Sequence, residues 1–200
     1  MPDVRADRST ASRPASRDRS PATAAPVADD DAGQPCRLFL AIWPSPAESE
    51  ELLRYQRRWS WPPGATPVAA DRLHLTLHFI GSLPRQRLGE LRSGLQVAVE
   101  PFELALNRAE AWPRGLVVLR AAAPDAALQR LHDRLGEALL ALGLTPERRR
   151  FRPHVTLARR ATASVPPIGA ADLRWQVGSY ALVESLAGTT GGYLIRQQYG

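Results

Sequence analysis

Two tetrads of the form His-apolar-Thr-Leu stand eighty residues apart: His74-Leu75-Thr76-Leu77 and His154-Val155-Thr156-Leu157. Each alternates polar and apolar residues, the period of a β-strand, so the His and Thr of each tetrad share one face while the apolar residues face a core. An imidazole titrates at about pH 6.5 and either takes or gives a proton near neutrality. Two of them flanking a phosphodiester let one draw a proton from water while the other protonates the departing alkoxide; each transfer contributes about 10²–10⁴-fold. A Thr hydroxyl about 7 Å further along the same face donates to a non-bridging phosphate oxygen, where charge grows in the transition state. The scheme needs neither metal nor cofactor. His74 and His154 are the candidate catalytic pair, and Thr76 and Thr156 the candidate phosphate-binding pair.

Two neighbours are candidates by periodicity. His78 shares the His74 face and is expected to line the cleft, although Ala158 fills the equivalent place in the second tetrad. Arg152 lies two residues before His154, on its face if the strand begins that early, and a guanidinium there suits a phosphate. A metal site built from His74, His78 and His154 fits poorly, because residues i and i+4 of a strand lie about 13 Å apart and no Asp or Glu joins that face.

The elements that must position these residues follow from the chain. Residues 1–36 have few large apolar side chains and no periodicity, and their 5 Arg and 6 Asp nearly cancel. This segment is expected to be a disordered tail, with the functional domain spanning 37–200. Residues 37–43 read as a buried strand ended by Pro44-Ser45-Pro46. Ser45 with Glu48 forms a capping-box pattern, with Pro46 at the first helical position, predicting a helix to about residue 59. A second helix is predicted over 84–99, with Leu88, Leu91 and Leu95 on one stripe. Strands at 102–106 and 116–119 are predicted to form a hairpin around Trp112-Pro113-Arg114-Gly115. Pro124 opens a third helix carrying Leu128, Leu131, Leu135, Leu139 and Leu142 and stopped by Gly143, with His132 on its flank. An Arg-rich approach, 146–152, leads to the second His strand. Strands at 179–187 and 192–198 close the chain. The order implies an α+β fold of two lobes, a sheet in each, with a cleft between them.

Composition narrows the function. The net charge is +6 and all 26 basic residues are Arg. Without Lys there is no lysine Schiff base and no P-loop lysine. The Arg excess decides nothing about partners, since a bias toward Arg, Ala, Pro and Gly also follows from genomic base composition. The lone Cys36 forms no intrachain disulfide and no Cys-based metal cluster. No apolar run is long enough to span a bilayer, and the N-terminus lacks the apolar region of a secretory signal. The expectation is a cytoplasmic protein with no membrane partner, monomeric by default.

Three segments resemble marker segments of the two-histidine phosphoesterases: Arg37-Leu38-Phe39-Leu40-Ala41-Ile42, His74-Leu75-Thr76-Leu77-His78-Phe79-Ile80-Gly81 and Phe151-Arg152-Pro153-His154-Val155-Thr156-Leu157-Ala158-Arg159. Within that superfamily the chain is similar to the bacterial and archaeal RNA 2',3'-cyclic phosphodiesterases, also called 2'-5' RNA ligases (LigT/ThpR-like), over residues 37–198. The resemblance implies a bilobal fold whose lobes are related by a pseudo-twofold and each give one His-x-Thr to the cleft. It implies metal-independent hydrolysis of an RNA or nucleoside 2',3'-cyclic phosphate end to a 2'-phosphate, with reversible 2'-5' joining in some members. It further implies that His74 protonates the departing 3' oxygen and His154 activates water. His78 stands where many relatives carry Arg or Lys, and Trp43 where an acidic residue is common; both bear on substrate preference. A non-catalytic RNA-binding module on the same fold is the rival reading, and it predicts salt-dependent affinity without turnover.

Overall fold

The computed structural model describes residues 34–123, 125–169, 171–187 and 191–200; the expected tail, apart from its last three residues, and Pro124 lie outside them. In chain order the elements are β1 (Pro35–Ile42), α1 (Pro46–Arg57), β2 (Thr66–Pro67), β3 (Leu75–Pro84), α2 (Leu88–Gly94), β4 (Phe102–Leu106), β5 (Arg108–Trp112), β6 (Leu116–Arg120), α3 (Ala126–Ala141), β7 (Val155–Arg159), β8 (Leu173–Val177), β9 (Tyr180–Leu186) and β10 (Gly192–Tyr199). None of the described helices is long and apolar enough to cross a membrane.

The strands form two four-stranded halves. One half runs β10-β9-β1-β3; the other holds β7, β6 and β5, with β2 on β7. The halves meet through a single antiparallel pair, Leu75 with Val155, which explains how one continuous sheet still makes two lobes. Both residues are fully buried. Carrying that antiparallel register one residue either way sets His74 across from Thr156 and Thr76 across from His154. The lobes are thus related by a local twofold through the Leu75–Val155 pair, and the polar residues of both tetrads fall on the side opposite the core.

Helices hold this junction in place. Ser45 caps α1 as expected: its Oγ accepts from the Glu48 amide, while the Glu48 carboxylate accepts from the Ser45 amide at 2.7 Å. Near the end of α1, the buried Gln56 amide donates to the carbonyls of Val68 (2.9 Å) and Leu157 (2.8 Å), fastening the helix to β7. α3 begins at the Asp125 cap, whose carboxylate accepts from the Leu128 amide. It buries Leu128, Leu131, Leu135 and Leu139 in the main core.

Three expectations needed correction. β3 runs on to Pro84, because Leu83 and Pro84 pair with Cys36 and Pro35. α2 therefore starts at Leu88 and ends at Gly94, and the Tyr180 hydroxyl ties down the chain beyond it, donating to the Leu95 carbonyl and accepting from the Val97 amide. β4 does not pair with β6. It forms a separate two-stranded sheet with β8, and the hairpin partner of β6 is β5, joined by a turn over Pro113–Gly115. That turn needs glycine at 115: its φ is +69°, and a Cβ would sit 2.8 Å from the Ala161 amide nitrogen.

Candidate active site

His74 and His154 each occupy the residue just before their strand, and each is pinned in the same way. The His74 Nδ1 lies 2.7 Å from the Arg72 carbonyl oxygen, and the His154 Nδ1 lies 2.7 Å from that of Arg152. A carbonyl only accepts, so Nδ1 carries the hydrogen in both rings. In the neutral ring Nε2 then holds the lone pair, free to take a proton. The two Arg-x-His segments, equivalent under the local twofold, produce the same tautomer.

Both rings line one cleft of about 680 Å³, together with Thr76 and Thr156. The chain thus folds back to bring the two tetrads together, a step that the repeat by itself does not establish. The cleft also takes Arg37, Phe39 and Phe79 from the first lobe, Arg72 from the preceding turn, Leu116 and Arg159 from the second lobe, and Tyr193 from β10. Among the described residues no three His, Cys, Asp or Glu side chains cluster as metal ligands would.

The two imidazoles sit in different surroundings. His74 stacks on Trp43 (4.9 Å between ring centres, 12° between planes), with Phe39 and Tyr193 at 5.2 and 5.1 Å. Its pKa is lowered to about 4: burial is the largest cause, the bond to the Arg72 carbonyl opposes it, and the charges of His154 and Arg159 add to the lowering. His154 touches Trp112 at 4.6 Å. Its pKa is also lowered, first by burial and then by the charges of Arg152 and Arg159, against the bond to the Arg152 carbonyl. Arg159 thus acts on both rings. An anion entering the cleft offsets these positive charges and favours imidazolium.

His78 is not where periodicity puts it. In the β1–β3 ladder Leu40 pairs with His78 and Ala41 with Thr76, leaving Leu77 as an extra residue. This bulge shifts His78 and Phe79 to the faces opposite those that alternation gives them, until a second irregularity at Ile80. Leu77 and His78 both point to the core side and are buried. The His78 Nε2 donates to the His132 carbonyl at 2.8 Å, and the two rings stack at 4.0 Å. His132 in turn stacks on Phe151 at 3.9 Å. The same shift swings Phe79 into the cleft, where it is 54% exposed. Arg152 also departs from expectation. β7 begins only at Val155, so alternation does not extend back to it; its guanidinium lies over the Trp112 ring at 4.2 Å and lines a neighbouring cavity. What Arg152 gives the cleft is its backbone carbonyl. The residues missed from sequence are Arg159 and Phe79, and Trp43, noted only for substrate preference, is the residue that stacks on His74. Alternation puts Arg159 and Phe79 on the core face: Phe79 reaches the cleft through the bulge at Leu77, and Arg159 through a matching irregularity at Leu157, left over between the Val117–Ala158 and Val118–Thr156 pairs.

Residues 44–189 match the family model of the 2'-5' RNA ligase superfamily. The chain belongs to that superfamily. It is 38% identical over 157 residues to the RNA 2',3'-cyclic phosphodiesterase of Escherichia coli (strain K12), covering 76% of this chain and 85% of that protein. A second superfamily relative, the RNA 2',3'-cyclic phosphodiesterase of Thermus thermophilus, is 33% identical over 165 residues, 74% of this chain and 81% of that one. The crystal structure of E. coli LigT complexed with 3'-AMP superposes with a TM-score of 0.71 at 30% identity, covering 82% of this chain and 97% of that one. The two-lobed architecture is thus the superfamily's own.

Proposed function

We propose that this protein is an RNA 2',3'-cyclic phosphodiesterase, hydrolysing a 2',3'-cyclic phosphate end to a 2'-phosphate. One observation carries the reading: two imidazoles, each pinned at Nδ1 by the carbonyl two residues back, offer Nε2 to a single cleft. Water adds to phosphorus and gives its proton to the His154 Nε2 as the bond from phosphorus to O3' breaks. The His74 Nε2 delivers its proton to the leaving O3', and the O2' bond remains. Solvent exchange then returns a proton to His74 and removes one from His154. The Thr76 and Thr156 hydroxyls and the Arg159 guanidinium stabilise the charge that builds on the non-bridging oxygens. The exposed face of Phe79 offers a stacking surface for the terminal base. If a 5'-hydroxyl takes the place of water, the same proton transfers make a 2'-5' linkage, the reaction in the superfamily's name.

The test separating this reading from a binding module is multiple turnover. Purified protein should convert an excess of an oligonucleotide ending in a 2',3'-cyclic phosphate. Binding without conversion by well-folded protein favours the rival.

A further inference from the structure

Beside the catalytic cleft lies a second cavity, of about 610 Å³. It starts where the cleft ends: Arg152 and Pro153 line the cavity, and the next residue, His154, lines the cleft. Trp112 stands at the boundary, in contact with the His154 ring on one hand and the Arg152 guanidinium on the other.

The cavity carries positive charge. Three arginines line it: Arg120, Arg150 and Arg152. Arg120 is held by Glu110 at 2.6 Å. Asp125, the only acidic residue among those lining the cavity, is engaged as the α3 cap. Among the described residues neither Arg150 nor Arg152 has a carboxylate partner, whereas the adjacent Arg149 pairs with Glu147. Phe151, at the end of the His78–His132–Phe151 stack, adds an aromatic ring to the same wall. Unpaired guanidinium groups beside an aromatic surface bind single-stranded nucleic acid through its phosphates and base faces.

We propose that this cavity is a second RNA subsite, holding the phosphodiester and base on the 5' side of the cyclic end. It rests on the cyclic phosphodiesterase reading, since it is the terminal phosphate in the cleft that directs the preceding nucleotides toward it. An acidic peptide satisfies the charge but not this continuity. The substrate class that follows is an oligonucleotide end rather than a free nucleoside cyclic phosphate.

Binding of a ten-nucleotide RNA carrying a 2'-phosphate end, and of a nucleoside 2'-phosphate, tests this on the full chain by titration. Neither probe needs turnover. Wild type should hold the RNA at least about tenfold more tightly, with an affinity that falls as salt rises. Arg150→Glu, and separately Gln129→Glu at the exposed rim, should weaken RNA binding about tenfold while nucleotide binding changes less than about twofold. Equal affinity of wild type for the two probes, or variants that lower both alike or neither, would overturn the subsite. Absence of turnover on any cyclic phosphate, with this binding difference intact, would tell against the catalytic reading alone.

Discussion

At the residue scale, the reactive property of His74 and His154 is set by their surroundings more than by imidazole itself. Both free-enzyme pKa values are lowered, that of His74 to about 4. Catalysis needs one ring charged and the other neutral. The alkaline limb of kcat/KM, which reports the free enzyme, therefore falls below about pH 6.5, and the acid limb lies near the pKa of about 4. In the substrate complex the phosphate's negative charge favours imidazolium, so the kcat profile should be displaced to higher pH. Replacing Trp43 with Ala admits water to His74 and moves its pKa back up. The acid limb of kcat/KM should then rise, and a limb that stays put counts against burial as the cause. The tetrads themselves were legible in the sequence because type and spacing repeat. The contribution of Arg159 was not, because its influence on both rings exists only once the lobes meet.

At the scale of the element, the β3 bulge decides which side chains reach the substrate. A period-2 reading assumes an unbroken ladder, and from Leu77 onward that assumption fails. His78 is consequently a packing residue, clasped between β3 and α3. His78→Ala should cost about 2 kcal/mol through the lost ring contacts and the lost hydrogen bond to the His132 carbonyl. Turnover per folded molecule should stay within about threefold of wild type. A variant of undiminished stability with a KM raised about tenfold (1.4 kcal/mol) would return His78 to the cleft. The capping box of α1 and the leucine stripe of α3 were readable because they are local patterns. β5, with its sequence Arg-Ala-Glu-Ala-Trp, alternates only through small Ala and carries no β-branched residue; it is a strand because β6 pairs with it and Glu110 bonds Arg120. β8 does alternate, with Leu173, Trp175 and Val177 buried, yet its pairing with β4 spans a sequence separation that no local pattern announces.

At the scale of the whole molecule, two lobes were expected from the repeated order of elements, but their connection was not. A single backbone pair, Leu75 with Val155, joins the half-sheets, and the reactive residues are the immediate neighbours of that pair. Stability and activity are therefore coupled at one point. Three histidines, His74, His78 and His154, have folded-state pKa values below the usual one. The unfolded chain binds more protons than the native one once the pH drops below about 6.5, so stability must decline as pH falls through that value toward about 4. Thermal unfolding should show a melting temperature that drops across this window. A melting temperature that stays level between those limits would mean that the rings are not buried as described.

The central claim is that two imidazoles work on one phosphorus from opposite sides, one on the leaving oxygen and one on water. A cyclic substrate with sulfur in place of the 3' bridging oxygen tests it most directly, because a thiolate leaves without a proton far more readily than an alkoxide. With the oxygen substrate, His74→Ala and His154→Ala should each lose about 10²–10⁴-fold in kcat. With the sulfur substrate, His74→Ala should regain most of its turnover and His154→Ala should not. Rescue of His154→Ala instead, or of neither variant, would contradict the account.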